Sequence, residues 1–211
     1  MGDGQEVIYY MTGPSREVLA GSPHLEAFAD KGLEVLLFSD PVDEVWLEQM
    51  PPEYQGKKFQ SIGRGEIDLS SSEDEEKEGE GREEEAEAYK DLIQCIRNAV
   101  QGDVKEVRLS NRLKQSPSCL VVDEGDLSPQ LEAMLRQAGQ EVPERKPILE
   151  LNPDHAIMKK LQAIFEADGT DPRLSEYAEL LFGQAVLAGG GQLHAPAAFT
   201  RKLSGLMEKA L

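Results

Sequence analysis

Asp40, Asp43 and Glu44 follow the apolar run Leu33-Glu34-Val35-Leu36-Leu37-Phe38, and of all the residues in this chain their types and spacing come nearest to enzyme chemistry. Carboxylates at the carboxyl end of a strand in an α/β sheet are a common seat for Mg²⁺ and phosphate, so Asp40 and Asp43 could serve Mg²⁺-dependent phosphoryl transfer. The same acids also suit a helix start. Asp40 precedes Pro41, and Asp43 and Glu44 fall in the first turn, where carboxylates face the positive end of the macrodipole. This second reading is preferred, with phosphoryl transfer kept as the alternative.

Other chemistry finds little support. Glycines cluster at Gly63 and Gly65, at Gly79 and Gly81, and at Gly189 to Gly191. A phosphate loop needs them between a strand and a helix N-terminus, and none of the three places fits. His24, His155 and His194 are scattered, with no serine or cysteine beside one in a nucleophile motif. Cys95 and Cys119 stand apart without a C-x-x-C or zinc-site spacing, which reads as two reduced thiols. No catalytic, metal or cofactor residue is therefore assigned.

The 211 residues are 39% hydrophobic, enough for packed cores, and carry a net charge of -18. Residues 73 to 87 hold ten acids against Lys77 and Arg82, so this one tract supplies eight of the net negative charges. Such a balance repels phosphate backbones, and no nucleic-acid partner is expected. No apolar run approaches the roughly 18 residues that span a bilayer, and no basic region precedes an apolar one at the N-terminus. The expectation is a soluble cytoplasmic protein with no membrane partner.

The elements follow from periodicity and punctuation. Glu6 to Met11 reads as a buried strand ending at Thr12-Gly13-Pro14, Ser15 as the cap of a helix interrupted at Gly21-Ser22-Pro23, and Leu33 to Phe38 as a second strand. A helix through Val42, Val45 and Trp46 and a return strand around Lys58, Phe59 and Ile62 complete a small βαβ-type unit over 1–69. Residues 70–87 read as an acidic linker, or as the frayed front of the helix that Leu92, Cys95, Ile96 and Ala99 mark from Ala88. Over 88–211, Val104 to Leu113, Ser118 to Val122 and Lys146 to Leu151 form a small mixed sheet. A short helix spans Ser128 to Gln137, Asp154 caps another, and helices from Pro172 and Pro196 close the chain as a bundle. The fold class is α/β plus α+β.

Two stretches resemble the heat-shock protein 90 chaperone family, of bacterial type. They are Ile8-Tyr9-Tyr10-Met11-Thr12-Gly13 leading to Ser22-Pro23-His24-Leu25-Glu26, and Glu150-Leu151-Asn152-Pro153-Asp154-His155. The resemblance runs from about Glu6 to Leu211 and implies the last α/β unit of that family's middle domain, a linker and its dimerisation domain. It also implies that the ATP-binding domain, with its ATP and Mg²⁺, belongs to a longer parent, and that this portion binds and dimerises without catalysing. The ending Glu208-Lys209-Ala210-Leu211 lacks the acidic co-chaperone tail of cytosolic eukaryotic members.

Two surfaces gain meaning from the resemblance. Leu174, Tyr177 and Leu181 on the first closing helix, with Phe199, Leu203, Leu206 and Met207 on the second, follow a three-or-four spacing that fits a monomer core or a dimer equally; the family's four-helix interface favours a homodimer. Leu127, Leu131, Met134 and Leu135 form one stripe on a short helix, either core or, as in the family, a face for unfolded or partly folded client proteins. Trp46 is expected to join that client surface. A plain dimeric adaptor without client binding is the remaining alternative.

Overall fold

The computed structural model describes residues 5–51, 53–67, 69, 75–142 and 145–211, with backbone alone for 48, 75–80, 82, 83 and 133. Two sheets organise them. β1 (Val7–Thr12), rich in β-branched and aromatic residues, lies inside a four-stranded sheet of order β2-β1-β4-β3, formed with β2 (Val35–Phe38), β3 (Glu53–Tyr54) and β4 (Lys57–Ser61). It pairs in parallel with β2, Tyr9 opposite Val35, and with β4, Val7 opposite Lys58. Parallel neighbours require crossovers. The first is α1 (Arg16–Ala20), a 3-10 turn at Pro23–Leu25 and α2 (Glu26–Asp30), broken where Gly21 and Pro23 interrupt the helical pattern; the second is α3 (Pro41–Gln49).

The β3–β4 hairpin is absent from the sequence expectation. Its tight turn puts Gln55 at φ 53° and Gly56 at φ 78°, the paired left-handed residues that match the twist of the flanking strands. Glycine announces such a turn but glutamine does not, because a left-handed conformation is uncommon for it.

The second sheet has order β5-β7-β6, from β5 (Glu106–Leu109), β6 (Ser118–Val121) and β7 (Ile148–Leu151), with β7 parallel to β5 and antiparallel to β6. All four residues of β7 are buried. Helices α4 (Glu75–Val100), α5 (Pro129–Gln137), α6 (Ala156–Ala167), α7 (Pro172–Ala188) and α8 (Pro196–Ala210) complete the chain. Leu92 and Ile96 of α4, Leu149 and Leu151 of β7, Met158 of α6 and Leu174 of α7 share one core.

Two local readings are refined. Of the two readings of the acidic tract, linker or front of the next helix, residues 75–87 take the second as the first half of α4, while 70–74 lie outside the described residues. Glutamate is a good helix former, acids suit the positive end of the macrodipole, and a helix already nucleated over 88–100 elongates at little cost. The cap of α6 is His155 rather than Asp154: its Nδ1 accepts the Ile157 N–H at 3.2 Å.

The two sheets meet across a buried polar junction. Glu150 and Arg112 are each 2% exposed, and their side chains pair at 2.9 Å. Arg108 joins the same carboxylate at 2.8 Å, as does the Ser110 hydroxyl at 2.8 Å. Arg112 then reaches into the first unit, donating to the carbonyls of Ile62 and Gly65. Nearby the Glu26 carboxylate accepts the N–H groups of Lys114 and Gln115, both at 2.7 Å, and that of Ser116. Burial alone would raise its pKa, but the hydrogen bonds from Ser116, Gln115 and Lys114 prevail and hold the carboxyl below its ordinary range. The backbone of Gly63 and Gly65 is also hydrogen-bonded to Val122.

His24 is buried in this junction, with its Nδ1 unpartnered among the described residues. Burial first, and then the Arg112 charge, lower its pKa from 6.5 to about 4. Between those values the unfolded chain binds more protons than the folded one, so stability falls as pH drops from 6.5 towards 4, by about 3 kcal/mol in all. Urea titrations at pH 7.5 and pH 4.5 should therefore show a larger acid loss in the parent than in His24→Asn; equal losses would contradict this account. Glu150→Ala strands the two arginines, and we expect a loss of about 3–5 kcal/mol at neutral pH by the same measurement.

Candidate functional site

The acids of α3 are occupied by the helix they start. Asp40 Oδ1 accepts the Val42 N–H at 3.1 Å and Asp43 Oδ2 accepts the Asp40 N–H at 3.1 Å, a reciprocal box that satisfies two otherwise orphaned donors. Glu44 turns inward and is 3% exposed, with Oε1 unpartnered among the described residues. Among the described residues no group of His, Cys, Asp and Glu gathers as a metal site would.

The remaining chemistry-bearing residues serve local structure. Gly189 and Gly191 close the C-terminus of α7 through N–H bonds to the Ala185 and Val186 carbonyls, while Gly63 and Gly65 face Val122. His194 is exposed. Burial raises the pKa of both thiols, of Cys119 far upward with Glu150 adding to the effect, so neither is an activated nucleophile.

Trp46 instead stands in an apolar groove of about 990 Å³ on the first unit. Its ring is half-exposed and lies 6.0 Å from that of Phe38, which in turn is 6.1 Å from Tyr10. Leu36, Val42, Val45, Tyr54 and Phe59 line the rest. Sequence reasoning reached Trp46 but missed Leu36, Phe38, Tyr54 and Phe59. The available signal was strand alternation: Leu36 and Phe38 are two apart and point to the same face of β2. So many apolar side chains in one open concavity is the composition of a binding surface.

The stripe Leu127, Leu131, Met134 and Leu135 is half-buried throughout. Ser128 caps α5, accepting the Leu131 N–H at 3.1 Å. The helix packs on α3, which carries Trp46. The structure thus brings the two expected client surfaces together around a single helix.

The closing helices divide their apolar residues differently from expectation. Leu174 and Leu181 are each 2% exposed within the chain's own core, because α7 is apolar on two faces and spends one against α4 and β6. Tyr177 is half-buried. Helix α8 crosses α7 closely: a Cβ on Gly183 would meet the Phe199 ring at 2.6 Å, so only glycine permits this approach. Yet α8 has no buried residue. Leu203 and Met207 are 43 and 59% exposed, Leu206 and Phe199 are half-buried, and Leu187 of α7 is exposed. The described residues thus cover the apolar face of α8 only in part.

Among the described residues no helix is long and apolar enough to cross a membrane. The family model described as Hsp90 protein matches residues 1–211. Chaperone protein HtpG of Salinispora arenicola (strain CNS-205) is 51% identical over 211 residues and that of Rhodococcus jostii (strain RHA1) 48% over 211 residues, each match covering 100% of this chain and 33% of the relative. Chaperone protein HtpG of Geobacter sulfurreducens is 50% identical over 207 residues, 98% of this chain and 32% of the relative. The chain spans about a third of the length of the curated relatives it matches. With matching of this extent, added to the βαβ unit and the helical closing segment, the chain belongs to the heat-shock protein 90 family of chaperones.

Proposed function

We propose that this chain supplies homodimerisation and part of the client-binding surface of a cytoplasmic, ATP-dependent chaperone. The observation that carries the reading is α8, a fifteen-residue helix with no residue buried by its own chain. Two copies of α7 and α8 packed about a two-fold axis would cover Leu203, Leu206 and Met207 in a four-helix arrangement. Burying a leucine contributes about 1.5–3 kcal/mol, so several such residues per subunit support a stable dimer. The buried Leu174 and Leu181 brace α7 from behind, and Tyr177 and Phe199 stand at the margin of the interface.

The groove around Trp46 and the stripe of α5 form the client surface. Unfolded chains expose aromatic and aliphatic side chains without a fixed shape, and a concavity of mixed aromatics with an adaptable methionine accepts many of them. ATP and Mg²⁺ chemistry lies with the parent protein, and this chain contributes no catalytic residue. Phosphoryl transfer by Asp40 and Asp43 is disfavoured because both carboxylates are engaged in starting α3.

Dimerisation is tested by replacing Leu203 and Met207 together with aspartate. Light scattering coupled to size exclusion should give a dimer for the parent and a folded monomer for the variant. A parent that runs as a 23.3 kDa monomer at tens of micromolar would contradict the reading. Client binding is tested by Trp46→Ser with Tyr54→Ser. Both side chains are exposed, so melting should shift by only a few degrees while suppression of aggregation of a heat-denatured enzyme falls severalfold. Unchanged suppression would favour a plain dimeric adaptor.

A further inference from the structure

Helix α3 has two opposed faces. Val42, Val45 and Trp46 turn to the groove and are exposed, whereas Asp43 and Leu47 are half-buried and Glu44 is buried. At about 100° per residue the two sets lie on opposite sides of the helix. Helix α5 packs on α3, and on the covered face Glu44 Oε1 has no hydrogen-bond partner among the described residues. A carboxylate oxygen taken out of water without a partner opposes the contact that buries it.

The construction of α5 fits a contact that opens. Its nine residues are too few for a helix stable on its own, and its stripe is only half-buried. Ser128 starts it, and Gly139, at φ 77°, follows its end. It sits in the connection between β6 and β7, whose base is closed by Arg145: Nη1 donates to the Gly125 carbonyl at 3.2 Å and pairs with Asp126. The tip rests on α3 while the base is pinned.

We propose that α5 is a self-latch, pinned at Arg145 and Asp126 and docked on α3 over Glu44, which swings away to expose Leu131 and Met134 when a non-native polypeptide binds. The inference rests on the client-binding reading of the Trp46 groove and assigns the regulation of that surface. Docked, α5 keeps its stripe half-covered and limits the apolar area displayed by an idle chaperone. Released, it returns Glu44 to water and places a second apolar face beside Val45 and Trp46. The client thereby displaces an intramolecular ligand, so its apparent affinity is set partly by how firmly α5 is held.

Glu44→Leu tests this, because an apolar residue of similar size removes the opposing carboxylate and tightens the latch. In the full 211-residue chain without client, hydrogen exchange of the α5 amides should be faster than that of β7 in the parent, and about tenfold slower in Glu44→Leu with β7 unchanged. Arg145→Ala, which unpins the base, should speed α5 exchange. Reduced, carboxymethylated α-lactalbumin then serves as a permanently unfolded probe, and Glu44→Leu should bind it severalfold more weakly than the parent by fluorescence anisotropy. Unchanged α5 exchange in Glu44→Leu overturns the proposal, as does slower exchange with undiminished probe binding. A parent that binds no probe at all defeats the client-binding reading, and the exchange comparison then decides the docking of α5 by itself.

Discussion

A charged residue in the middle of a fully buried strand sets the terms for this molecule. Glu150 lies in β7 between Leu149 and Leu151, both wholly buried, and its carboxylate can be held there only if it is paired and hydrogen-bonded. Arg112, Arg108 and Ser110 meet that demand. Arg112 then carries spare donors, and these find the carbonyls of Ile62 and Gly65 at the end of the first sheet. Satisfying one carboxylate therefore ties two sheets together. Such a pair gives little net stability over an apolar substitute, but removing one partner leaves a charge with nowhere to go. Its value is positional: Arg112 fits only one placement of the two carbonyls it reaches.

The junction also explains where apolar surface is left over. The second sheet's core takes one face of α7, the first sheet's core takes Phe28 and Ile62, and the polar seam takes neither α8 nor the groove side of α3. Leu203 with Met207 and Val42 with Trp46 thus stay exposed outside both cores, Trp46 resting against the Phe38 ring. The acidic tract, with eight net negative charges, keeps molecules that carry such apolar surface apart through like-charge repulsion.

Much of the fold was legible because its cues are local. Ile8 to Met11 announces a strand, Gly21 with Pro23 breaks a helix, and Asp40 before Pro41 starts one; each cue acts within a few residues and appears in the structure. The Glu150 network was not legible. Its partner Arg112 is 38 positions away, and no periodicity marks a pairing made through tertiary packing. The closing helices failed in a different way. Leu174 and Leu181 share the three-or-four spacing of residues left uncovered, and spacing reveals an apolar face without revealing which neighbour takes it. Trp46 could be singled out by rarity, while Phe38 and Phe59 gain their place in the groove only when β2 and β4 flank β1.

The Glu150 junction fixes the sheet that carries the Trp46 groove against the sheet on which α7 packs. Residual dipolar couplings of backbone amides in the two sheets, measured at pH 7.5, test it most directly. One alignment tensor should fit both sheets in the parent, and Glu150→Ala should require two. A parent whose sheets need two independent tensors would contradict it.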